Sequence, residues 1–296
     1  MEALYRSIEH ICPAERGADM KKYTSFKIGG SAALLAQPRS REELAAVLAL
    51  CRDVPHTVIG NGTNLLVGDG GYRGVLIRIS GGFSDIRTEG TKIYAQAGAT
   101  LGAVARAAML AGLSGMAPLS GIPGTVGGAV LMNAGAYGGE MADVITEVTV
   151  LTPDGRTEVC TEHGFSYRHS AYQENGCIVT DAVFTLTPGS ADEIRTEMET
   201  LAARRREKQP LNWPSAGSAF KRPADGFAAQ MIDEAGLRGF SVGGAAVSEK
   251  HAGFVINTGS ATAKDVRKLL CLVQKKVQET HGVLLEPEIR FLGDFG

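Results

Sequence analysis

The stretch that decides the fold lies near the middle of the chain and is rich in glycine. Residues 121–128 are Gly121-Ile122-Pro123-Gly124-Thr125-Val126-Gly127-Gly128. Pro123 fixes a turn, and the small residues around it let the backbone approach a ligand closely. A helix is predicted to begin near Thr125, so its first N–H groups would face a phosphate. The alternative is tight helix packing in a core.

A second glycine-rich loop lies upstream and reads Gly60-Asn61-Gly62-Thr63-Asn64-Leu65. It follows a predicted strand, and its successive backbone N–H groups can form a concave anion site. It begins like the Rossmann dinucleotide fingerprint, but Leu65 replaces the last glycine and no acidic residue stands at the expected ribose distance. Alone, the loop is better explained as a tight turn. The two loops together favour a bound dinucleotide.

Composition limits the class of protein. The 296 residues are 44% hydrophobic and 21% charged, which is typical of a globular protein with two or three domains. The net charge of -2 gives no general attraction to nucleic acid or anionic membranes, so we expect neither as a partner. Five cysteines without metal-site spacing predict no metal and favour a reducing, cytoplasmic location. No signal-peptide pattern opens the sequence.

The pattern of elements predicts an α+β fold, because helices and strands do not alternate strictly. Capping boxes open helices at Ser40 and Ser190, and Pro210 and Pro214 mark the main domain boundary. We therefore predict an N-terminal helical segment over 1–22, a two-part domain over 23–190 (about 23–85 and 86–190), a linker helix over 191–209 and a C-terminal domain over 210–296.

Several long segments resemble one enzyme family, the UDP-N-acetylenolpyruvoylglucosamine reductases. The two glycine-rich loops resemble the flavin segments of that family, the 121–128 loop together with residues 133–137. The other matching segments are Tyr23-Thr24-Ser25-Phe26-Lys27-Ile28-Gly29-Gly30, Tyr167-Arg168-His169-Ser170, Ala216-Gly217-Ser218-Ala219-Phe220-Lys221-Arg222-Pro223 and Glu286-Pro287-Glu288-Ile289-Arg290-Phe291. These segments occur in the family's order and run from about Tyr23 to Phe291.

The resemblance implies a fold and a reaction. The fold is a two-subdomain FAD-binding domain of the vanillyl-alcohol-oxidase type, followed by a smaller C-terminal α/β substrate domain. Non-covalent FAD takes hydride from NADPH and reduces UDP-N-acetylglucosamine enolpyruvate to UDP-N-acetylmuramate, a step of peptidoglycan precursor synthesis. The chain resembles the shorter class, which lacks an extra loop whose tyrosine covers the substrate. We expect a monomer.

The resemblance also implies three catalytic residues. Arg168 is suited to grip the substrate carboxylate, since a guanidinium binds a carboxylate through two bonds. Ser218 is the implied proton donor, and its small neighbours leave room around the hydroxyl. Glu288 is the implied catalytic glutamate, and we expect burial to raise its pKa so that it acts as a neutral donor or orienting group. Without the family match, these would be an ordinary surface arginine, a structural serine and a strand-end carboxylate.

The remaining site residues divide into a flavin set and a substrate set. The flavin set is Gly60, Asn61, Gly62, Thr63, Asn64, Leu65, Gly121, Ile122, Gly124, Thr125, Gly127, Gly128, Asn133 and Ala134. The substrate set is Tyr137, Tyr167, Lys221, Arg222 and Gln230. Lys221 and Arg222 supply positive charge for a diphosphate, although a solvated basic edge would look the same in sequence.

Two other functions share some of these features. An FAD-linked oxidase of the same fold commonly tethers its flavin through His or Cys, and neither glycine-rich loop contains either residue. A non-catalytic UDP-sugar sensor would need no proton donor, so the presence of Arg168, Ser218 and Glu288 together argues against it.

Overall fold

The computed structural model describes all residues, 1–296. Its helices are α1 (Glu2–Glu9), α2 (Arg41–Leu50), α3 (Leu101–Leu110), α4 (Val126–Leu131), α5 (Ala191–Lys208), α6 (Ala228–Glu234) and α7 (Ala263–His281). No helix combines the length and the apolar character needed to span a bilayer.

The strands form one five-stranded sheet, two four-stranded sheets and three two-stranded sheets. They are β1 (Ala14–Asp19), β2 (Ser31–Ala36), β3 (His56–Ile59), β4 (Leu65–Val67), β5 (Tyr72–Arg78), β6 (Ile86–Glu89), β7 (Lys92–Gln96), β8 (Leu113–Ser114), β9 (Gly135–Ala136), β10 (Gly139–Glu140), β11 (Ile145–Leu151), β12 (Thr157–Cys160), β13 (Ile178–Thr185), β14 (Thr187–Pro188), β15 (Ser215–Ser218), β16 (Ser241–Val242), β17 (Ala245–Val247), β18 (Phe254–Asn257) and β19 (Arg290–Leu292).

Local sequence signals account for the ends of the helices. The Ser40 hydroxyl accepts a hydrogen bond from the N–H of Glu43, as its capping position predicts. The hydroxyl of Thr100 caps α3 in the same way. Gly282 ends α7 with a left-handed backbone, which glycine adopts without steric cost.

The predicted helical segment 1–22 is helical only over Glu2–Glu9. Pro13 has no N–H to donate to a helix, and the chain continues from Ala14 as strand β1. Sequence patterning missed this strand because its residues, Ala-Glu-Arg-Gly-Ala-Asp, do not alternate between apolar and polar positions.

Four strands form a sheet in the order β1-β2-β5-β3, and five form a sheet in the order β12-β11-β13-β7-β6. In the first sheet β3 and β5 run parallel. The second sheet is antiparallel, with the β11–β12 hairpin at its edge.

The chain divides into two compact units that are not contiguous in sequence. The first unit contains Met1–Glu15, Leu34–Asn61 and Val75–Arg205. Its core surrounds the five-stranded sheet and buries side chains from α3 and α4, including Leu101, Val104 and Val126. This unit holds the 121–128 segment and Arg168.

The second unit contains Arg16–Ala33, Gly62–Gly74 and Arg206–Gly296. Helix α7 buries the side chains at 266, 269, 270, 273 and 277, whose spacing of three or four residues puts them on one face. Phe26, Ile28 and Leu66 belong to this core although they lie far upstream. The division therefore differs from contiguous domains over 23–190 and 210–296, because two upstream segments pack with the C-terminal residues.

Candidate active site

The upstream glycine-rich loop (60–65) contacts the 121–128 loop, and both residues of this contact lie in the first unit. A Cβ atom added at Gly60 would lie 2.3 Å from the Thr125 hydroxyl oxygen, so only glycine fits there. Asn61, which follows, accepts a hydrogen bond from the guanidinium of Arg78. The structure thus brings together the beginning of one loop and the middle of the other.

Helix α4 offers fewer phosphate donors than its sequence suggests. It has six residues, and the N–H groups of Val126 and Gly127 donate to the carbonyls of Ala99 and Ala97. Thr125 makes no side-chain cap, so the N–H of Gly128 is the one left for a ligand. An added Cβ at Gly128 would have only the Thr125 hydroxyl nearby, at 3.6 Å, and otherwise points into open space.

The rest of the upstream loop belongs to the second unit. Gly62 has a φ of +62°, and an added Cβ there would lie 2.3 Å from the carbonyl oxygen of Tyr23. Leu65 begins β4, which pairs in parallel with β19. Asn64 contacts the same C-terminal segment. Its side-chain amide donates to the backbone carbonyl of Glu288 at 3.1 Å, and its backbone carbonyl accepts the N–H of Arg290.

The loop has the unpaired donors that a pyrophosphate requires. Asn61 in the first unit, and Gly62, Thr63 and Asn64 in the second, donate no backbone N–H to a protein acceptor. Successive backbone amides of this kind bind phosphate oxygens without side-chain help. The backbone of this loop therefore fits the phosphate group of a cofactor.

Arg168 lies in a tight turn of the first unit, in which Ser166 and His169 exchange backbone hydrogen bonds of 3.2 and 3.1 Å. Its φ is +56°, a left-handed conformation that favours glycine. Its guanidinium lies 5.1 Å from the ring centre of Tyr167, and Nη2 donates to the carbonyl of Gly135 at 3.4 Å.

Asn133 and Ala134 are bonded within the protein. The fully buried side chain of Asn133 donates to the carbonyl of Ser166 and accepts the N–H of Ala142. Both backbone groups of Ala134 are also bonded, to Ala129 and Met141. The side chain of Asn133 therefore holds the turn of Arg168 through the Ser166 carbonyl.

Ser218 and Glu288 lie close together in the second unit. Ser218 ends β15 and pairs with Phe254, and the N–H of Glu288 donates to the carbonyl of the next residue, Ala219, at 2.9 Å. Both residues are half-buried. The structure thus brings the predicted proton donor, the predicted glutamate and Asn64 of the flavin loop into one cluster.

Three predicted substrate residues lie in the same unit. The side chain of Lys221 forms an ion pair with Glu286, and the backbone N–H of Lys221 donates to the backbone carbonyl of Glu286. The guanidinium of Arg222 stacks on Phe227, 4.2 Å from the ring centre. Gln230, the third residue of α6, is exposed and donates to Glu234.

Tyr137 and Tyr167, the other predicted substrate residues, belong to the first unit. Both are exposed, with 39% and 49% of their surfaces accessible, and Tyr137 has a φ of +53°. The guanidinium of Arg204 lies 5.9 Å from the Tyr137 ring centre.

Arg205 is a candidate that the sequence interpretation missed. Its side chain lies against Gly121, and it is the one half-buried member of the run Arg204–Arg206. Burial lowers its pKa, with a smaller opposing effect from Tyr137. The run of three arginines was a signal of positive charge, but only packing shows which of them faces inward.

Comparison with known proteins gives two family matches. Residues 32–161 match an FAD binding domain, and residues 209–292 match the C-terminal domain of UDP-N-acetylenolpyruvoylglucosamine reductase. A reductase of that name from Caldanaerobacter subterraneus is 50% identical over 279 residues, 93% of this chain and 92% of the relative. One from Agathobacter rectalis is 53% identical over 291 residues, covering 93% of each chain.

A solved structure matches this chain over nearly its whole length. The crystal structure of UDP-N-acetylenolpyruvylglucosamine reductase from Thermus caldophilus matches with a TM-score of 0.80 and 38% identity, over 95% of this chain and 98% of that one.

The FAD binding domain and the glycine-rich loops define an FAD-dependent oxidoreductase. The chain belongs to the UDP-N-acetylenolpyruvoylglucosamine reductase family. The predicted α+β fold, FAD cofactor and reductase activity are thereby confirmed, and neither an oxidase nor a sugar-nucleotide sensor is supported.

Proposed function

We propose that the chain reduces the enolpyruvyl group of UDP-N-acetylglucosamine enolpyruvate to give UDP-N-acetylmuramate, in the cytoplasm, as a step of the cell-wall synthesis on which cell shape and division depend. The observation that carries the proposal is the cluster of Ser218, Glu288 and Asn64 in the second unit. The five free cysteines fit a reducing compartment.

When bound, FAD supplies the methylene carbon of the substrate with a hydride obtained from NADPH. The residues that we assign to holding it are Gly60 to Leu65, Gly121, Ile122, Gly124, Thr125, Gly127, Gly128, Asn133 and Ala134. Unpaired N–H groups between 61 and 64 are suited to the pyrophosphate. Arg205, beside Gly121, adds a guanidinium to this segment.

Hydride addition leaves negative charge on the neighbouring carbon and its carboxylate, so the protein must supply a cation and a proton. We assign the cation to Arg168, whose left-handed turn directs its side chain from a fixed backbone. We assign the proton to the Ser218 hydroxyl. Glu288, held by Ala219 and Asn64, orients this donor. A protonated Glu288 remains a prediction.

A visible spectrum tests the whole proposal. The purified protein should be yellow, NADPH should bleach it, and the enolpyruvyl substrate should restore the colour under anaerobic conditions. Flavin that NADPH does not reduce, or reduced flavin that the substrate does not reoxidise, would contradict the proposed reaction.

Replacing Lys221 with methionine should raise KM for the sugar nucleotide by about 10- to 100-fold, because a charge-assisted hydrogen bond contributes about 1.5–3 kcal/mol. FAD content should be unchanged. Lys275→Met, on the exposed face of α7, is the matched control and should leave KM as it is. A Lys221→Met enzyme that lost FAD but kept its KM would place Lys221 at the flavin instead.

A further inference from the structure

The backbone of Arg168 is held in place by a side chain that plays no part in the proposed chemistry. The amide nitrogen of Gln173 donates to the carbonyl of Arg168 at 2.9 Å and to the carbonyl of Leu131 at 2.8 Å. A primary amide has two N–H donors, and these are its two short bonds; the Met132 sulfur lies farther from the same nitrogen, at 4.0 Å. Gln173 is half-buried and lies five residues after Arg168 in the sequence.

These two bonds link the turn to the flavin segment. Leu131 is the last residue of α4, the helix that begins directly after Thr125. The Ser170 hydroxyl also donates to the Leu131 carbonyl, at 2.8 Å, but makes no bond to Arg168. The Leu131 carbonyl therefore accepts hydrogen bonds from two side chains, and of these two only Gln173 also donates to the Arg168 carbonyl.

We propose that Gln173 is a positioning residue that fixes the left-handed backbone of Arg168, and so aims its guanidinium at the substrate carboxylate. The inference rests on the proposed role of Arg168. A non-glycine residue at a φ of +56° is strained and stays there only when its surroundings hold it. Gln173 supplies such a restraint from one side of the turn, and Asn133 supplies another through the Ser166 carbonyl.

Gln173→Met keeps the length of the side chain and removes both donors. We expect FAD content and bleaching by NADPH to match the parent enzyme. Reoxidation of the reduced flavin by substrate should slow by about 10- to 100-fold, since a catalytic group misplaced by about 1 Å can cost that much. Ser170→Ala is the matched control: it removes a bond to Leu131 only and should stay close to the parent rate.

Gln173→Glu gives a second readout that a purely structural role would not produce. An ionised glutamate has no donor and would face two carbonyl oxygens, so the variant should be slow at neutral pH. Below its pKa, normally about 4.3 and raised by these oxygens, the carboxyl regains one O–H donor. Its reoxidation rate relative to the parent enzyme should therefore rise as pH falls, whereas a flat ratio would overturn the inference.

Arg168→Met distinguishes a failure of the role proposed for Arg168 from a failure of the positioning role proposed for Gln173. If Arg168→Met is reoxidised by substrate at the parent rate, the proposed role of Arg168 fails. If Arg168→Met is slow and Gln173→Met is not, Arg168 keeps its role and the positioning inference is wrong. Should Gln173→Met not fold, as judged by thermal unfolding, the pH profile of Gln173→Glu decides by itself.

Discussion

Gly128→Leu should give a folded, colourless protein. Its backbone has no positive φ, and an added Cβ meets only the Thr125 hydroxyl at an ordinary 3.6 Å, so the protein can accept a side chain here. The branches of leucine would fill the open space beside the unpaired N–H of Gly128. We expect FAD to bind at least ~100-fold more weakly, a loss of about 2.8 kcal/mol. Flavin absorbance per protein and calorimetric titration with FAD measure this.

Gly62 and Gly127 also belong to the flavin loops, but they are poorer positions for the test. A Cβ at Gly62 would clash with the Tyr23 carbonyl, and one at Gly127 would lie 3.0 Å from the Cβ of Ala97. Loss of FAD there would follow from a damaged fold as readily as from a blocked site. Gly81→Leu is the matched control in the same unit, because an added Cβ meets no atom within 4 Å. Full flavin in both variants would remove Gly128 from the site.

Short-range features were predictable because their causes are local. Ser40, Thr100 and Gly282 cap helices through bonds or backbone angles within four residues of themselves. The buried face of α7 follows from the spacing of its apolar residues. The family resemblance added the order of the functional segments, including the flavin segments that the glycine pattern alone left open.

Long-range features were not predictable from patterns. The parallel pairing of β4 with β19 joins residues more than 200 positions apart, and it puts Asn64 beside Glu288. The second core likewise recruits Phe26 and Ile28 from far upstream. A side chain's partner is equally invisible in sequence: the Asn133 amide bonds to the backbone of Ser166 and Ala142, which no local pattern indicates.

The identity of the inward-facing arginine was also beyond the sequence. Helix α5 buries only Ile194 completely, so it has no strong apolar face from which to orient Arg204, Arg205 and Arg206. The contact of Arg205 with Gly121 depends on how the end of α5 packs, and this is a tertiary property.

Ser218→Ala should separate the two halves of the reaction. Ser218 is half-buried at the end of β15, next to the backbone bond between Ala219 and Glu288, and alanine at this position removes one hydroxyl and little volume. FAD content and bleaching by NADPH should therefore be nearly normal. Only the second half needs a proton at carbon, so reoxidation by substrate should slow by about 10²–10⁴-fold, the usual cost of losing a general acid.

Ser218→Cys is the matched comparison, because a thiol occupies nearly the same space and can also release a proton. Stopped-flow absorbance follows bleaching and reoxidation separately, and the cysteine variant should recover part of the second rate while the first stays constant in all three enzymes. The opposite pattern, slow bleaching by NADPH with normal reoxidation by substrate, would assign Ser218 to the nicotinamide or flavin site. In that case the proton would have to come from another group, and Glu288, bonded through its backbone to Ala219 and Asn64, would be the first to replace.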